Sequence, residues 1–203
     1  MDADWKLEPW RGLGRLTFGL SSEEVSALAP IYGKPSPLKS HEHAAADLET
    51  VVATTGAGAT MSPEELAALR KTAAELANFA TQNLQGTPLV LLEYRDLKLS
   101  GVACEQKSGG AHFEGRYLSG MKSRDVLALF ERANGGPSRY LLTEAAFDGL
   151  AVSLHAFCNT SRAGATRFLD ARDEDFKERT VTLRREPYRR EREMGQFFTR
   201  SVL

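Results

Sequence analysis

Chemistry requires reactive side chains within reach of one another, and few sets in this 203-residue chain qualify. His41 and His43 flank Glu42, a spacing that brings two imidazoles near one cation. A zinc site wants three or four ligands in tetrahedral geometry, and no third follows nearby, so a polar loop without metal is expected. Cys104 or Cys158 with His112 or His155 would make a nucleophile and base if the fold set them within hydrogen-bond distance and a third group oriented the imidazole. Two cysteines are too few for a disulfide framework, and in a reducing compartment they read as free thiols in or near the core. The glycine-rich "GAGAT" at 56–60 lacks the Lys and Ser/Thr order of a phosphate loop and reads as a loose approach to the next helix. "TLRREPYRRERE" at 182–193 offers guanidinium groups and Tyr188 to a phosphate, yet Glu186, Glu191 and Glu193 interrupt it, favouring a self-paired, solvated surface. The expectation is a protein with no catalytic residues, no metal and no cofactor.

Composition narrows the partners. With 42% hydrophobic and 26% charged residues the chain suits a soluble globular protein. The net charge of −1 provides no general field for nucleic acid or anionic lipid, although residues 1–100 carry −4 and residues 101–203 carry +3. The opening "MDADWKLEPWRGLG" is acidic and lacks the apolar run of a signal peptide, and no stretch approaches the roughly 20 apolar residues of a membrane span. A cytoplasmic location is expected.

Three helices are signalled by their caps. Ser21 with Glu24 has capping-box spacing, Val25, Leu28 and Ala29 form a stripe, and Pro30, Gly33 and Pro35 are expected to end that helix. Ser62, Pro63 and Glu65 start a second, expected over about 62–84, with Leu66, Leu69, Ala73, Leu76 and Ala80 at helical spacing. In the third, Lys122 stands where the first has Ser21, leaving any cap to Ser123 ahead of Val126, Leu129 and Phe130. Strands are expected at Leu89–Tyr94 and Leu97–Glu105, joined by a turn at Arg95 and Asp96, and at Ala111–Tyr117 after a Gly109–Gly110 turn. More follow at Arg139–Glu144, Leu150–Phe157 after a turn near Asp148 and Gly149, and Arg179–Arg185.

The first and third helices belong to a doubled pattern. "GRLTFGLSSEEVSALA" (14–29) set over "GRYLSGMKSRDVLALF" (115–130) matches Gly14, Arg15, Gly19, Ser22, Val25, Ala27 and Leu28 with Gly115, Arg116, Gly120, Ser123, Val126, Ala128 and Leu129, and both run on to a Gly-x-Pro. Strand, Gly-[Leu/Met]-[Ser/Thr], an acidic residue, Val, short helix and Gly-x-Pro in tandem resemble the β-lactamase inhibitory protein superfamily, whose relatives include small outer-membrane lipoproteins and bacterial immunity-type proteins. The resemblance implies an α+β fold: a tandem repeat of helix plus antiparallel β-meander forming one continuous sheet, with the 62–84 helix inserted in the first repeat. The first repeat would span 1–114 and the second 115–203.

Alternation then defines a surface. If Leu97, Leu99, Val152, Leu154, Val181 and Leu183 face the helices, Lys98, Ser100, Ser153, His155, Phe157, Thr182 and Arg184 turn to the opposite face, joined in meander register by Glu93, His112, Glu114 and Arg139. The expected anchors for a partner are Phe157, Arg139 and Arg184, with Glu93 and Glu114 meeting basic groups. The resemblance implies an immunity-type protein that occludes the active site of a cognate bacterial toxin or effector enzyme. The alternatives are a small enzyme with a cleft between the repeats, and a chaperone or adaptor for an effector.

Overall fold

The computed structural model describes residues 2–40, 43–55, 60–106, 110–187 and 195–203. His41, Glu42, the 56–59 part of the glycine-rich stretch, Gly109, Tyr188, Glu191 and Glu193 lie outside the described residues. Among those described, no helix is long and apolar enough to cross a membrane.

The chain opens with a small antiparallel meander, β1 (Leu7–Glu8), β2 (Gly12–Leu13) and β3 (Leu16–Thr17), which buries Leu7, Leu13 and Leu16. Helix α1 (Ser22–Ser26) starts on its capping box: Ser21 Oγ accepts from the Glu24 N–H at 3.2 Å, and the Glu24 carboxylate accepts from the Ser21 N–H at 2.7 Å. Pro30 does not end this helix. It sits in the first turn of a second one, α2 (Ala29–Tyr32), where a missing N–H costs no helical hydrogen bond. Gly33 follows at φ 94, where a Cβ would lie 2.3 Å from the Gly86 nitrogen, so the chain needs glycine to turn there.

Short strands β4 (Lys34–Pro35) and β5 (Lys39–Ser40) lead to a helical hairpin, α3 (Ala44–Thr55) and α4 (Pro63–Ala77). Ser62 and Glu65 cap α4 reciprocally with Pro63 in its first turn, as the sequence predicts. The helix stops at Ala77, however, well short of 84. Phe79–Gln85 is strand β6, burying Ala80, Gln82 and Leu84 in alternation. Ladders to β5 on one side and β7 on the other satisfy its backbone, and this overrides the helical spacing of Leu76 and Ala80.

Strands β7 (Val90–Arg95) and β8 (Lys98–Glu105) form a hairpin whose two-residue turn is Asp96–Leu97, both at positive φ, one residue later than expected. Leu97 is therefore 67% exposed at the tip instead of facing the helices. The expected strand at 111–117 is a tighter structure: β9 (His112–Phe113) and β10 (Arg116–Tyr117) pair with each other around Glu114 and Gly115, both at positive φ. Next come α5 (Ser123–Asn134), β11 (Ser138–Phe147), β12 (Val152–Thr160), β13 (Thr166–Phe168), β14 (Thr180–Arg184) and β15 (Phe198–Arg200).

Ten strands make one antiparallel sheet in the order β15-β11-β12-β14-β8-β7-β6-β4, with β13 paired to β12 and β5 to β6. The protein is thus α+β. Its central seam joins β8 to β14, from Gly101 opposite Arg184 to Glu105 opposite Thr180. Outward from the seam the order reads β8-β7-β6 on one side and β14-β12-β11 on the other. One face carries the core. α5 lies over β11 and β12 with Val126, Leu127, Leu129 and Phe130 buried, α2 meets β6, and β2 covers the seam strands. Phe113 stacks on Phe130 at 4.4 Å, which docks the β9–β10 hairpin on α5. Beneath lie Leu92, Leu99, Val102, Val152, Leu154, Val181 and Leu183, the last five of the sheet residues expected to point inward among them. The α3–α4 hairpin contributes no residue to this core cluster; its two helices hold each other, partly through an Arg70–Glu49 fork at 2.6 and 3.0 Å.

Candidate partner-binding face of the sheet

Cross-strand partners point to the same side of a sheet, so the ladders define the other face row by row. Leu91, Ala103, Thr182, Ser153 and Ala146 follow one another across five strands. These side chains are mostly small, none belongs to the core cluster, and longer neighbours flank them. On one side runs the row Glu93, Gly101, Arg184; on the other, Glu105, Thr180, His155, Glu144. The result is a row of small groups sunk between two charged margins: Leu91 is 36% exposed, whereas Ala103, Thr182, Ser153 and Ala146 are buried, at 3–8%.

The first margin is built around an absent side chain. Gly101 separates Glu93 on β7 from Arg184 on β14, and a Cβ there would lie 2.5 Å from Glu93 Oε2. With no side chain in the way, Arg184 reaches across β8 to grip the carboxylate in a fork, Nε–Oε2 at 3.0 Å and Nη2–Oε1 at 3.1 Å, and donates a third bond to Ser153 Oγ at 3.2 Å. Both ionic side chains are only about one-fifth exposed, 18% for Glu93 and 23% for Arg184, which protects the pair from solvent screening. A recess of about 10 Å³ beside it, lined by Ala146, Ala151, Ser153 and Arg184 among others, has room for one water-sized group.

Four expected site residues share this face. Glu93 and Arg184 form the central pair, His155 is exposed with Nδ1 3.2 Å from Thr143 Oγ1, and Lys98 is exposed opposite Arg95 at the hairpin end. Phe157, His112 and Glu114 do not, while Arg139, between the buried Ser138 and Tyr140, turns from the core but is already engaged. Phe157 is fully buried in the core, because Ala156 adopts φ 61 and the resulting bulge reverses the alternation after His155. Arg139 is held by a fork to Asp148 at 2.7 and 3.0 Å and lies 4.7 Å over the Phe197 ring, with its side chain 12% exposed. His112 and Glu114 belong to the separate β9–β10 hairpin: His112 is buried with Nε2 2.9 Å from the Asp2 carbonyl oxygen, and Glu114 occupies the turn. Of the three expected anchors, Phe157 is in the core, and Arg139 and Arg184 are each held in a carboxylate fork within the chain.

Neither thiol resembles an activated nucleophile. Cys104 and Cys158 both lie in the core, and burial pushes each thiol up to about 12, the opposite of the lowered value that makes a reactive thiolate. Among the described residues no group of three or more His, Cys, Asp or Glu side chains gathers as a metal site. Ser153 and Thr182 were expected on this face; Gly101, Leu91, Ala103 and Ala146 were missed by sequence reasoning. The signal available was a glycine inside a strand pattern, which marks a bulge or a close approach from a neighbour.

Fold and face together define the class: an antiparallel α+β protein with a layered core on one side of its sheet and a small-residue floor on the other. No protein-family model, curated protein or solved structure matches the chain.

Proposed function

We propose that the chain is a tandem repeat related to the β-lactamase inhibitory protein superfamily, and that it acts as a cytoplasmic immunity-type protein. It binds a cognate bacterial toxin or effector enzyme on the sheet face opposite the core and occludes that enzyme's active site. The repeat reading is supported by the mirrored strand order about the β8–β14 seam and by helices that precede each three-strand set and close on Gly33 and Gly135, both at positive φ. The observation that carries the binding reading is the floor itself: Ala103, Thr182, Ser153 and Ala146 in a row, flanked by Glu93–Arg184 and by His155. Interface energy concentrates in a few anchors within a polar surround, and a flat floor lets a protruding loop approach between them. Size supports the doubling. Six strands at about 4.8 Å spacing give a face about 29 Å wide, whereas three give half that, and specific interfaces bury roughly 800 Å² per partner.

The test places bulk at the centre of the floor, away from the core. Thr182→Arg, co-expressed with candidate toxin genes neighbouring the protein's own coding sequence, is expected to abolish the protection that wild type confers, with the circular dichroism spectrum unchanged. Full protection by a folded Thr182→Arg protein would move the interface off this face.

A further inference from the structure

A second surface lies along α5, away from the sheet. A groove there is lined by Arg116, Lys122 and Arg132, with Asp125 as its one carboxylate and with Tyr117 and Met121 as its large apolar groups. Among the described residues none of the three cations has an ion-pair or hydrogen-bond partner, and Tyr117 is 47% exposed. Lys122, Asp125 and Arg132 fall on one side of the helix, and at 1.5 Å per residue the backbone at Arg132 lies about 15 Å along the axis from Lys122, with Asp125 about 4.5 Å along, one turn from Lys122.

The loop that shapes this groove is held from behind by a buried cation. Arg179, 5% exposed, donates to the Ser119 carbonyl at 3.1 Å and the Met121 carbonyl at 3.3 Å, with its guanidinium 3.7 Å from the Phe176 ring and 5.3 Å from that of Phe157. Its Nε has no partner, and no ion pair with a carboxylate neutralises it among the described residues. The start of α5 adds charge of the same sign. Lys122 occupies the N-cap without a side-chain hydrogen bond, and the Ser123 hydroxyl expected to cap the helix is buried and unpartnered, so no side-chain cap serves the first turn, whose one acidic residue is Asp125. Four cations and a helix N-terminus against Asp125 leave this side short of negative charge.

We propose that this groove binds an extended acidic segment of a partner protein, with one carboxylate at each end of a run of about five residues and a basic or uncharged residue between them. The spacing selects this occupant. Two cations anchored about 15 Å apart along a helix suit two anions on one chain, since an extended chain at about 3.3 Å per residue sets two side chains four positions apart at about 13 Å. Asp125, on the Lys122 side of the span, repels a third anion and favours a basic side chain there. Tyr117 and Met121 give apolar contact to the alternate positions. Nucleic acid, which needs a sustained basic field, is a poor match for a chain of net charge −1. The groove stands apart from the sheet face, so this inference does not rest on the immunity reading.

The isotopically labelled full chain, titrated at low salt with the capped peptide Glu-Leu-Lys-Leu-Glu and followed by amide shifts, provides the test. Saturable shifts are expected at residues 116–132, with little response to the charge-reversed peptide Lys-Leu-Glu-Leu-Lys. Lys122→Glu with Arg132→Glu, both exposed and outside the core, should weaken binding at least about tenfold, since each position trades an attraction for a repulsion. Equal responses to the two peptides, an unchanged affinity in the double variant, or full displacement by inorganic phosphate at the peptide's own concentration would each overturn the proposal.

Discussion

At the scale of single residues, the Glu93–Arg184 pair shows how one missing side chain permits an interaction between others two strands apart. Removing either partner leaves the other charge part-buried, and hydrogen bonds to charged groups contribute roughly 1.5–3 kcal/mol. Glu93→Gln and Arg184→Gln should each lower the unfolding free energy in urea by about 1–2 kcal/mol, and a double-mutant cycle should return a coupling of at least about 1 kcal/mol. Gly101→Val should reproduce most of that loss without touching either charge. A second residue-scale consequence follows from acids held neutral by burial. Cys104, Cys158, Tyr32 and Tyr94 are all pushed up to about 12. A raised acid keeps its proton longer in the folded chain than in the unfolded one, so its stabilisation is complete below the unfolded values, about 8.5 for Cys and 10 for Tyr, and is lost as pH rises toward 12. The urea midpoint should therefore fall between pH 8 and pH 10.5, and fall less in Cys104→Val with Cys158→Val, where the slope loses up to about 1.4 kcal/mol per pH unit for each thiol. Much at this scale was legible in the sequence: the Ser21 and Ser62 caps, the buried cysteines and the inward Val152, Leu154, Val181 and Leu183 follow from spacing alone. Phe157 was not, because strict alternation assumes an unbroken strand and a bulge at an alanine leaves no mark in composition.

At the scale of elements, the α3–α4 hairpin is an elaboration of a β-turn. Ser40 on β5 lies opposite Ala80 on β6, so the strand ends that flank the insertion are already neighbours. A two-residue Asn-Gly turn in place of residues 41–79 would join strands whose register is set, a geometry such turns favour. That deletion should remove helical signal from the far-ultraviolet spectrum while the near-ultraviolet signature of the buried Tyr32, Tyr94 and Tyr140 persists; loss of the latter would show that the hairpin supports the core after all. The sequence signalled this helix through Ser62, Pro63 and Glu65 but hid its end. Helical and strand periods both fit a short apolar run such as Leu76 to Ala80, and pairing across more than 40 residues decided between them. At 111–117 local pairing decided instead: Phe113 opposite Arg116 and His112 opposite Tyr117 close a hairpin, which removed His112 and Glu114 from the candidate site.

At the scale of the whole molecule, the two charged surfaces face different ways: the Glu93–Arg184 floor on the side of the sheet opposite the core and the Arg116–Lys122–Arg132 groove beyond the helix layer. A change on one should leave the other's readout unmoved, so Thr182→Arg is expected to bind the acidic peptide as wild type does, within about twofold, as befits sites that share no partners. The outer strands carry a separate consequence. On one side the sheet ends in β4 and β5, two residues each; on the other it ends in β15, three residues that pair with Ser138, Arg139 and Tyr140. β15 is fastened at its C-terminal end, by Arg200 donating to the Gly164 carbonyl at 2.8 Å and by the Val202 N–H donating to the Glu131 carboxylate at 2.8 Å. Beyond its reach, Leu142 at φ 49 breaks the regular ladder of β11. A long, flat, open strand is a template on which another chain can polymerise, and short guarded margins deny it. Truncation before Gly195 would bare the apolar run of β11, and we expect such a protein to fold, then gather into thioflavin-binding fibrils at concentrations where the intact chain stays dispersed.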